Sequence, residues 1–232
     1  MTACKIGLMV PANNTTMEHE LLRWLPAGTE CVTLRIPRGK GMLDSASIPA
    51  YVEQALQLAT GFSAHGIDRL AYGCTAAGFI LGPQADAELA RRLGQVAGVP
   101  VSTTARAMVD ALAAAQVNDI ALVTPYQDDV NDRLKAFLAD AGIRVRAFDS
   151  LYAADVEALG RMTASEVAAL ARRTMRDDCE ALFIACSQLP TCEILAPLQS
   201  EFGRPVLSSI QATAWSLRRV AAGLGAAGGA LA

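Results

Sequence analysis

The chain has 232 residues, 52% of them apolar, and a formal net charge of −3. This length suits one large domain or two small ones, and the apolar content argues against intrinsic disorder. The weak negative charge excludes the basic surface typical of proteins that bind nucleic acid or anionic membranes, and no apolar run reaches the roughly 18 residues of a membrane span. The run from Ile6 to Val10 ends at Pro11, short of a signal-peptide core, so we expect a cytoplasmic protein.

In chain order, short apolar runs bounded by turn residues alternate with segments of helical spacing. Strands are predicted at residues 6–10, 31–36, 67–72, 99–102, 119–123, 145–148, 181–185 and 205–207. Helices are predicted at residues 16–25, 49–65, 84–96, 104–115, 128–141, 165–176, 191–202 and 209–221. Strands that are apolar throughout are typical of parallel sheets covered by helices on both faces, so the pattern predicts an α/β protein.

The second half of this pattern repeats the first. Three pairs of segments match with offsets of 114, 112 and 105 residues: IGLMVP (6–11) with IALVTP (120–125), DRLAYGC (68–74) with EALFIAC (180–186), and GVPVSTTARAMVDAL (98–112) with GRPVLSSIQATAWSL (203–217). Because the matches occur in the same order, they indicate two α/β halves related by duplication. We place the first half at residues 1–110 plus 209–232 and the second at 111–208, so that the last helix crosses back to the first half.

The chain contains six cysteines, Cys4, Cys31, Cys74, Cys179, Cys186 and Cys192. Stable disulfides are rare in the cytosol, and the sequence has neither a CxxC pair nor histidines at zinc-ligand spacing, so no metal site is predicted. The repeat selects Cys74 and Cys186, since each ends a strand and is followed by small or polar residues. The other four cysteines are interpreted as packing residues.

Cys74 and Cys186 allow two interpretations. Ligands of open parallel sheets bind beyond the carboxyl ends of the strands, so two facing halves would bring both thiols to one cleft. A helix beginning just after each cysteine would supply N–H groups that bind a carboxylate and lower the thiol pKa. The alternative is that both are buried packing residues of a duplicated core. A serine hydrolase is disfavoured because the sequence has no GxSxG motif, and GCTAAG lacks the lysine of a phosphate-binding loop.

The segments VPANNTTMEHE, YGCT, TPY and ACSQLPT resemble the maleate cis–trans isomerase family. That family belongs to the aspartate/glutamate racemase superfamily, which also contains hydantoin racemases and arylmalonate decarboxylase. The resemblance runs over nearly the whole chain. It implies two pseudo-symmetric, Rossmann-like halves, each a parallel sheet flanked by helices, with the active site in the cleft between them. It also implies a homodimer that needs no cofactor.

The resemblance assigns roles to four residues of this chain. It implies that Cys74 is the nucleophile, that Cys186 donates and accepts a proton, and that Asn14 and Tyr126 bind a substrate carboxylate. The residue after each cysteine is expected to bind substrate as well. The candidate site therefore contains Asn14, Cys74, Thr75, Tyr126, Cys186 and Ser187.

Neighbouring residues receive simpler interpretations. Asn13 is predicted to be a turn residue, and Thr15 or Thr16 is predicted to cap the following helix. The basic segment RIPRGKGM, residues 35–42, is interpreted as a solvated loop, with a lid over an anionic substrate as the alternative.

The chain departs from the isomerases at two places. The segment DVEALGRM, residues 155–162, lacks the substrate-binding asparagine that the isomerases have before their Gly-Arg, and Asp155 or Glu157 is expected to repel a dicarboxylate there. The segment CTAAG, residues 74–78, is closer to the decarboxylase and racemase branches. In the decarboxylase the first cysteine is absent, whereas this chain has both.

Together these features predict an enzyme, a cofactor-independent cis–trans isomerase of maleate or a related cis-enedioate. Three alternatives stay open: a two-cysteine racemase of an amino acid or hydantoin, an arylmalonate-type decarboxylase, and a non-catalytic carboxylate-binding protein. Each has a small carboxylate or dicarboxylate as its partner, without nucleic acid, membrane, metal or organic cofactor.

Overall fold

Two parallel sheets of four strands each form the framework of the protein. The computed structural model describes residues 4–39 and 41–221. The strands are β1 (Lys5–Pro11), β2 (Glu30–Ile36), β3 (Arg69–Tyr72), β4 (Val101–Thr103), β5 (Asp119–Thr124), β6 (Arg144–Ser150), β7 (Ala181–Ile184) and β8 (Val206–Ser208). Their orders are β2–β1–β3–β4 in one sheet and β6–β5–β7–β8 in the other, and all neighbours are parallel.

Helices flank both sheets, which confirms the predicted α/β fold. They are α1 (Met17–Arg23), α2 (Ile48–Ala59), α3 (Thr75–Phe79), α4 (Pro83–Ala97), α5 (Thr104–Ala114), α6 (Asp128–Asp140), α7 (Val156–Gly160), α8 (Ala164–Thr174), α9 (Leu195–Phe202) and α10 (Ser209–Ala221), with a 3-10 helix at Thr60–Ala64. Strands β1, β5 and β7 are buried over nearly their whole length, which explains why the sequence reads as continuous apolar runs there.

The duplication appears in the backbone hydrogen bonds as well as in the sequence. Positions separated by the same offsets make equivalent bonds: Gly73 N to Met9 O (2.7 Å) and Ala185 N to Val123 O (2.8 Å), then Leu70 N to Pro100 O and Leu182 N to Pro205 O (both 2.9 Å). Helices α4 and α9 both end at a glycine in the left-handed conformation, Gly98 and Gly203. The two halves therefore share one topology and one way of ending corresponding helices.

The structure differs from the predicted helices in four places. The helix predicted over 49–65 changes to a 3-10 helix after Ala59, and the short helices α3 and α7 carry too few turns for a periodic signal. The helix predicted from residue 191 begins only at Leu195. Ahead of α9, the N–H groups of Thr191 and Cys192 donate to the buried carboxylate of Glu20, a residue of α1 that is distant in the sequence, at 2.8 and 3.1 Å.

Helix α10 packs against the first sheet together with α1. A cluster of buried side chains joins Ile6 and Leu8 of β1 to Ile210 and Leu217 of α10, and the Arg69 guanidinium donates to Leu217 O at 2.5 Å. The division into 1–110 plus 209–232 and 111–208 stays a prediction, and residues 222–232 lie outside the described part. Within residues 4–39 and 41–221, every helix is too short or too polar to cross a membrane.

Candidate active site

A small cavity between the two sheets contains both cysteines selected by the repeat. Cys74 directly follows Gly73 after β3, Cys186 directly follows Ala185 after β7, and both side chains are buried, with 4% and 6% of their surface exposed. The cavity has a volume of about 40 Å³. Its walls include Asn13, Asn14, Arg38, Cys74, Thr75, Leu159, Tyr126, Cys186 and Ser187. Because parallel strands end at the same edge of a sheet, the fold brings one thiol from each half to this place.

Two glycines allow neighbouring segments to pack closely around Cys74. A Cβ added at Gly73 would lie 2.5 Å from Met17 Sδ and 2.9 Å from Met9 O. A Cβ added at Gly78 would lie 2.6 Å from the Cβ of Ala105. Real Cβ atoms do not approach so closely, so the backbone packing around Cys74 requires glycine at both positions.

Cys74 occupies the N-cap position of α3. Burial raises the pKa of its thiol. Three groups act in the opposite direction and favour the thiolate: the N–H of Ala77, the positive charge of Arg38 and the hydroxyl of Tyr51. Cys74 thus lies in a desolvated position that has donors and a cation ready to stabilise a negative sulfur once it forms.

Cys186 has a different environment. Its Sγ accepts a hydrogen bond from Gln188 N at 3.4 Å, and its own N–H donates to Ser209 Oγ at 3.1 Å. Burial raises the pKa of its thiol to about 11, although the N–H of Gln188 and the hydroxyl of Tyr126 oppose this. Negative charge on Cys74 raises it further, so Cys186 keeps its proton when Cys74 is ionised.

Two predictions about the thiols are wrong. A helix does begin just after Cys74, but residues 187 and 188 after Cys186 form a turn and α9 starts only at Leu195. Neither thiol has a lowered pKa, because the loss of water around a buried sulfur outweighs the few N–H groups that face it. Burial depends on the packing of distant segments, which the local sequence could not reveal.

Asn14 lies in the cavity wall, but much of its amide is already engaged. Its Oδ1 accepts from the N–H groups of Thr16 (3.1 Å) and Met17 (2.9 Å), and its Nδ2 donates to Ser187 O at 3.0 Å. Thr16 occupies the N-cap position of α1, as predicted, but its side chain makes no cap bond, and the amide oxygen of Asn14 accepts from the first N–H groups instead. The Nδ2 of Asn14 also donates to Ser187 Oγ at 3.4 Å, so a ligand that accepts from Asn14 has to compete with this longer contact.

Tyr126 is held rigidly with its hydroxyl buried beside Cys186. Its carbonyl accepts from Asn131 Nδ2 (2.8 Å) and Ser150 Oγ (2.7 Å), and its ring packs edge-on against Phe79 of α3, with centroids 5.7 Å apart. Burial raises the pKa of this hydroxyl well above its ordinary value, so it remains a hydrogen-bond donor. Within the described part of the chain this hydroxyl lies near Cys186 and Thr75 but makes no well-formed hydrogen bond.

The residues after the two cysteines differ in what they offer. Thr75 Oγ1 is buried without a hydrogen-bond partner in the described part of the chain. Ser187 Oγ donates to Gly73 O at 2.8 Å, so this hydroxyl ties the two strand ends together. Any contact of Ser187 with a ligand would therefore come from its N–H group, as the sequence analysis expects.

The structure adds two residues that the sequence analysis missed, Asn13 and Arg38. Asn13, predicted to be a turn residue, lines the cavity, and its Oδ1 is buried with no partner in the described segments. Arg38, from the segment interpreted as a solvated loop, also lines the cavity. The strand order could have indicated this position for Arg38. Because β2 neighbours β1 and runs parallel to it, the loop after β2 leaves the sheet at the same edge as Asn14.

The acids expected to repel a dicarboxylate do not line the cavity. Asp155 is the N-cap of α7, where its Oδ1 accepts from Ala158 N at 2.7 Å, and Glu157 is exposed. The residue of this segment that reaches the cavity is Leu159. Within the described part of the chain, the cavity wall therefore carries no carboxylate.

Known proteins match this chain along most of its length. It is 27% identical to maleate isomerase of Geobacillus stearothermophilus over 225 residues, which cover 92% of this chain and 90% of that protein. It is 29% identical to arylmalonate decarboxylase of Bordetella bronchiseptica over 187 residues, which cover 80% and 78%. A solved structure of Nocardia farcinica maleate cis–trans isomerase, a cysteine-to-serine mutant with a covalently bound succinylcysteine intermediate, superposes with a TM-score of 0.85 at 26% identity, covering 96% and 94% of the two chains. The family model for arylmalonate decarboxylase (Amdase) matches residues 6–230, and the protein therefore belongs to this family.

Proposed function

We propose that the protein is a cofactor-independent cis–trans isomerase of maleate or a closely related cis-enedioate. The observation that carries this proposal is the pair of buried thiols, one from each half, in the wall of one cavity. The maleate isomerases among its relatives, and the succinylcysteine intermediate in one of them, support a reaction through a covalent cysteine adduct. The cavity, at about 40 Å³, has room for a few water molecules, which disfavours any bulky substrate.

The reaction begins when the Cys74 thiolate adds to one alkene carbon. A C–S bond forms, the π bond breaks, and its electron pair moves to the other carbon and into that carbon's carboxylate. Cys186 protonates this carbon and gives a succinyl thioether whose central C–C bond rotates. Cys186 then removes a proton from that carbon, the C–S bond breaks, and the trans product leaves with both thiols in their initial states.

The thiol environments match this division of roles. Cys186, with a pKa of about 11, holds a proton at neutral pH and gives it up only to a strong base such as the developing carbanion. Cys74 has the cation of Arg38 and the N–H of Ala77 beside its sulfur, which favour the thiolate. Asn14 and Tyr126, with the N–H groups of Thr75 and Ser187, bind carboxylate oxygen and stabilise the charge that develops there.

Arylmalonate decarboxylase is the second candidate, because the family model and the Bordetella relative both carry this name. Loss of CO₂ followed by protonation needs one proton donor. Cys74 would then have no role, although Arg38 and the N–H of Ala77 lie where they can stabilise a negative sulfur. A two-cysteine racemase would use both thiols as bases and acids on opposite faces of a carbon.

One assay panel separates these functions. The purified protein is incubated with maleate, a substituted maleate, an arylmalonate, aspartate and a hydantoin, and the products are followed by NMR, CO₂ release and optical rotation. Conversion of maleate to fumarate supports the isomerase. CO₂ release alone identifies the decarboxylase, and loss of optical rotation alone identifies the racemase. If no substrate of the panel is converted, all three enzyme functions are rejected for these substrates.

We further propose that the protein works in the cytosol as a homodimer. All six cysteines are free, which suits a reducing compartment. The homodimer follows from the family resemblance, and light scattering coupled to size-exclusion chromatography tests it: a mass of one chain would contradict it.

A further inference from the structure

We propose that Arg38 binds the second carboxylate of the substrate and makes the site selective for dicarboxylates. This inference rests on the proposed function, since it concerns which substrates the cysteine pair receives. It assigns a purpose to a residue of the loop after β2 that the reaction steps leave without a direct role.

The position of Arg38 supports an anion-binding role. Among the cavity-lining residues of the described chain, it alone has a charged side chain. One end of its guanidinium is tethered, because Nη2 donates to Gly41 O at 2.5 Å. Its Nε is buried and has no partner among the described residues. A buried donor on a cation is costly unless an acceptor arrives, and a substrate carboxylate would supply one.

Arg35, three residues before Arg38, differs from it because its guanidinium already has partners within the protein. Its Nη1 donates to Asn14 O at 2.5 Å, and its Nη2 lies 3.2 Å from Glu18 Oε2. Arg35 therefore fixes the backbone around Asn14, whereas the charge of Arg38 has no carboxylate partner in the cavity wall. The two arginines have different local roles although the sequence presents them as one basic segment.

A dicarboxylate needs a second anchor that the neutral residues do not provide. Asn14 uses both its Oδ1 and its Nδ2 within the protein, and the Ser187 hydroxyl is bound to Gly73 O. The segment expected to carry an asparagine contributes the apolar Leu159. Arg38 can neutralise one carboxylate, whereas the unpaired Oδ1 of Asn13 in the same cavity is an acceptor and cannot do so.

The positive charge of Arg38 has different consequences for isomerisation and for decarboxylation. Addition of a thiolate to the alkene moves negative charge onto a carboxylate, so a guanidinium there stabilises the transition state more than the substrate. Loss of CO₂ moves charge from the departing carboxylate to the retained one, so the same guanidinium would slow that reaction if it held the departing carboxylate and assist it if it held the retained one. In the isomerisation both carboxylates stay in the site, and Arg38 can hold one of them throughout the reaction.

Binding of unreactive analogues tests this proposal without turnover. Succinate carries two carboxylates, and its half-amide succinamate replaces one of them by a neutral amide of similar shape. Calorimetric titration of the wild type should show tighter binding of succinate than of succinamate. Arg38→Met should weaken succinate binding by roughly 10- to 100-fold, the value of a charged hydrogen-bonded contact, and change succinamate binding by less than about threefold.

Two further variants serve as controls. Arg38→Lys retains the charge without the fork of donors and should recover part of the succinate affinity. Arg106→Met removes an exposed arginine that pairs with Asp110, outside the cavity, and should leave both affinities unchanged. Equal losses for the two ligands in Arg38→Met, no loss for succinate, or a wild type that does not bind succinate would overturn the proposal. Arg38-dependent succinate binding by a protein that leaves maleate unchanged would reject the isomerase and retain the anion site.

Discussion

The ends of β3 and β7 are equivalent by duplication, but their surroundings have diverged. At the β3 end, Cys74 occupies the N-cap position of a short helix and has a cation and a tyrosine hydroxyl near its sulfur. At the β7 end, Cys186 leads into a turn, and its pKa is about 11. Duplication thus provides two thiols at matching places, and the different neighbours separate them into a nucleophile and a proton carrier.

Replacing Cys74 and Cys186 by serine, one at a time, is the strongest test of their separate roles as nucleophile and proton carrier. Cys74→Ser should lower the rate of maleate isomerisation by roughly 10⁴-fold or more and form no covalent adduct, because a hydroxyl at this pH does not add to the alkene. Cys186→Ser should also be slow, but it should accumulate a succinyl adduct on Cys74, visible by mass spectrometry. The matched control is Cys4→Ser, which lies outside the cavity and should be fully active. An adduct on the Cys74→Ser protein would reverse the two roles.

The pH dependence of kcat/KM should report the same asymmetry. The pKa of Cys74 is raised by burial, and only the thiolate adds to the alkene, so the rate should increase by roughly tenfold per pH unit from pH 7 toward the raised pKa. It should fall again only near pH 11, where Cys186 loses its proton. Initial rates of maleate loss at low substrate concentration measure this profile. A maximum below pH 7 would contradict the assignment.

The buried carboxyl of Asp86 lies behind α3, on the Cys74 side alone. Its Oδ2 accepts from Thr103 Oγ1 at 2.8 Å, its Oδ1 has no partner in the described segments, and burial raises its pKa to about 7. The native state keeps this proton while the unfolded chain loses it, so the free energy of unfolding should fall by about 1.4 kcal/mol per pH unit between roughly pH 4 and 7 and level off above.

Asp86→Asn cannot ionise and should therefore be more stable than the wild type at pH 8, with little difference near pH 4. Urea unfolding at both pH values measures the effect. The exposed Asp129→Asn variant on α6 should show no such pH-dependent gain. Equal gains for Asp86→Asn at pH 4 and pH 8 would show that ionisation of this carboxyl is not the cause.

Substitution of Asn13 and of its neighbour Asn14 should affect stability to different extents. Asn14 accepts from the first N–H groups of α1 and bonds to Ser187 of the other half, so Asn14→Ala should reduce the free energy of unfolding by about 1–2 kcal/mol. Asn13 has no bond through its buried Oδ1, so Asn13→Ala should change stability by less than about 0.5 kcal/mol while raising KM for maleate. Equal stability losses would show that the distinction between them is wrong.

Much of the fold was predictable from the sequence because its signals are local. Parallel strands buried on both faces read as apolar runs, and Pro11 and the residues after Cys74 and Cys186 mark where three of the strands end. Matching offsets in the sequence reappear as matching hydrogen bonds in the structure. The positions of the two thiols in one cavity followed from these patterns and from the rule that parallel strands end at the same sheet edge.

Tertiary structure decided the properties that depend on contacts between distant segments. The thiol pKa values follow from burial by both halves, and the contact of Asn14 with Ser187 joins residues far apart in the chain. Arg38 and Arg35 stand in one basic segment, yet only their packing shows that Arg38 faces the cavity. The sequence by itself determined the duplicated scaffold and its two cysteines, because periodicity and strand ends are local. Desolvation and hydrogen-bond satisfaction are not local, so the folded chain alone decided which groups remain free to meet a substrate.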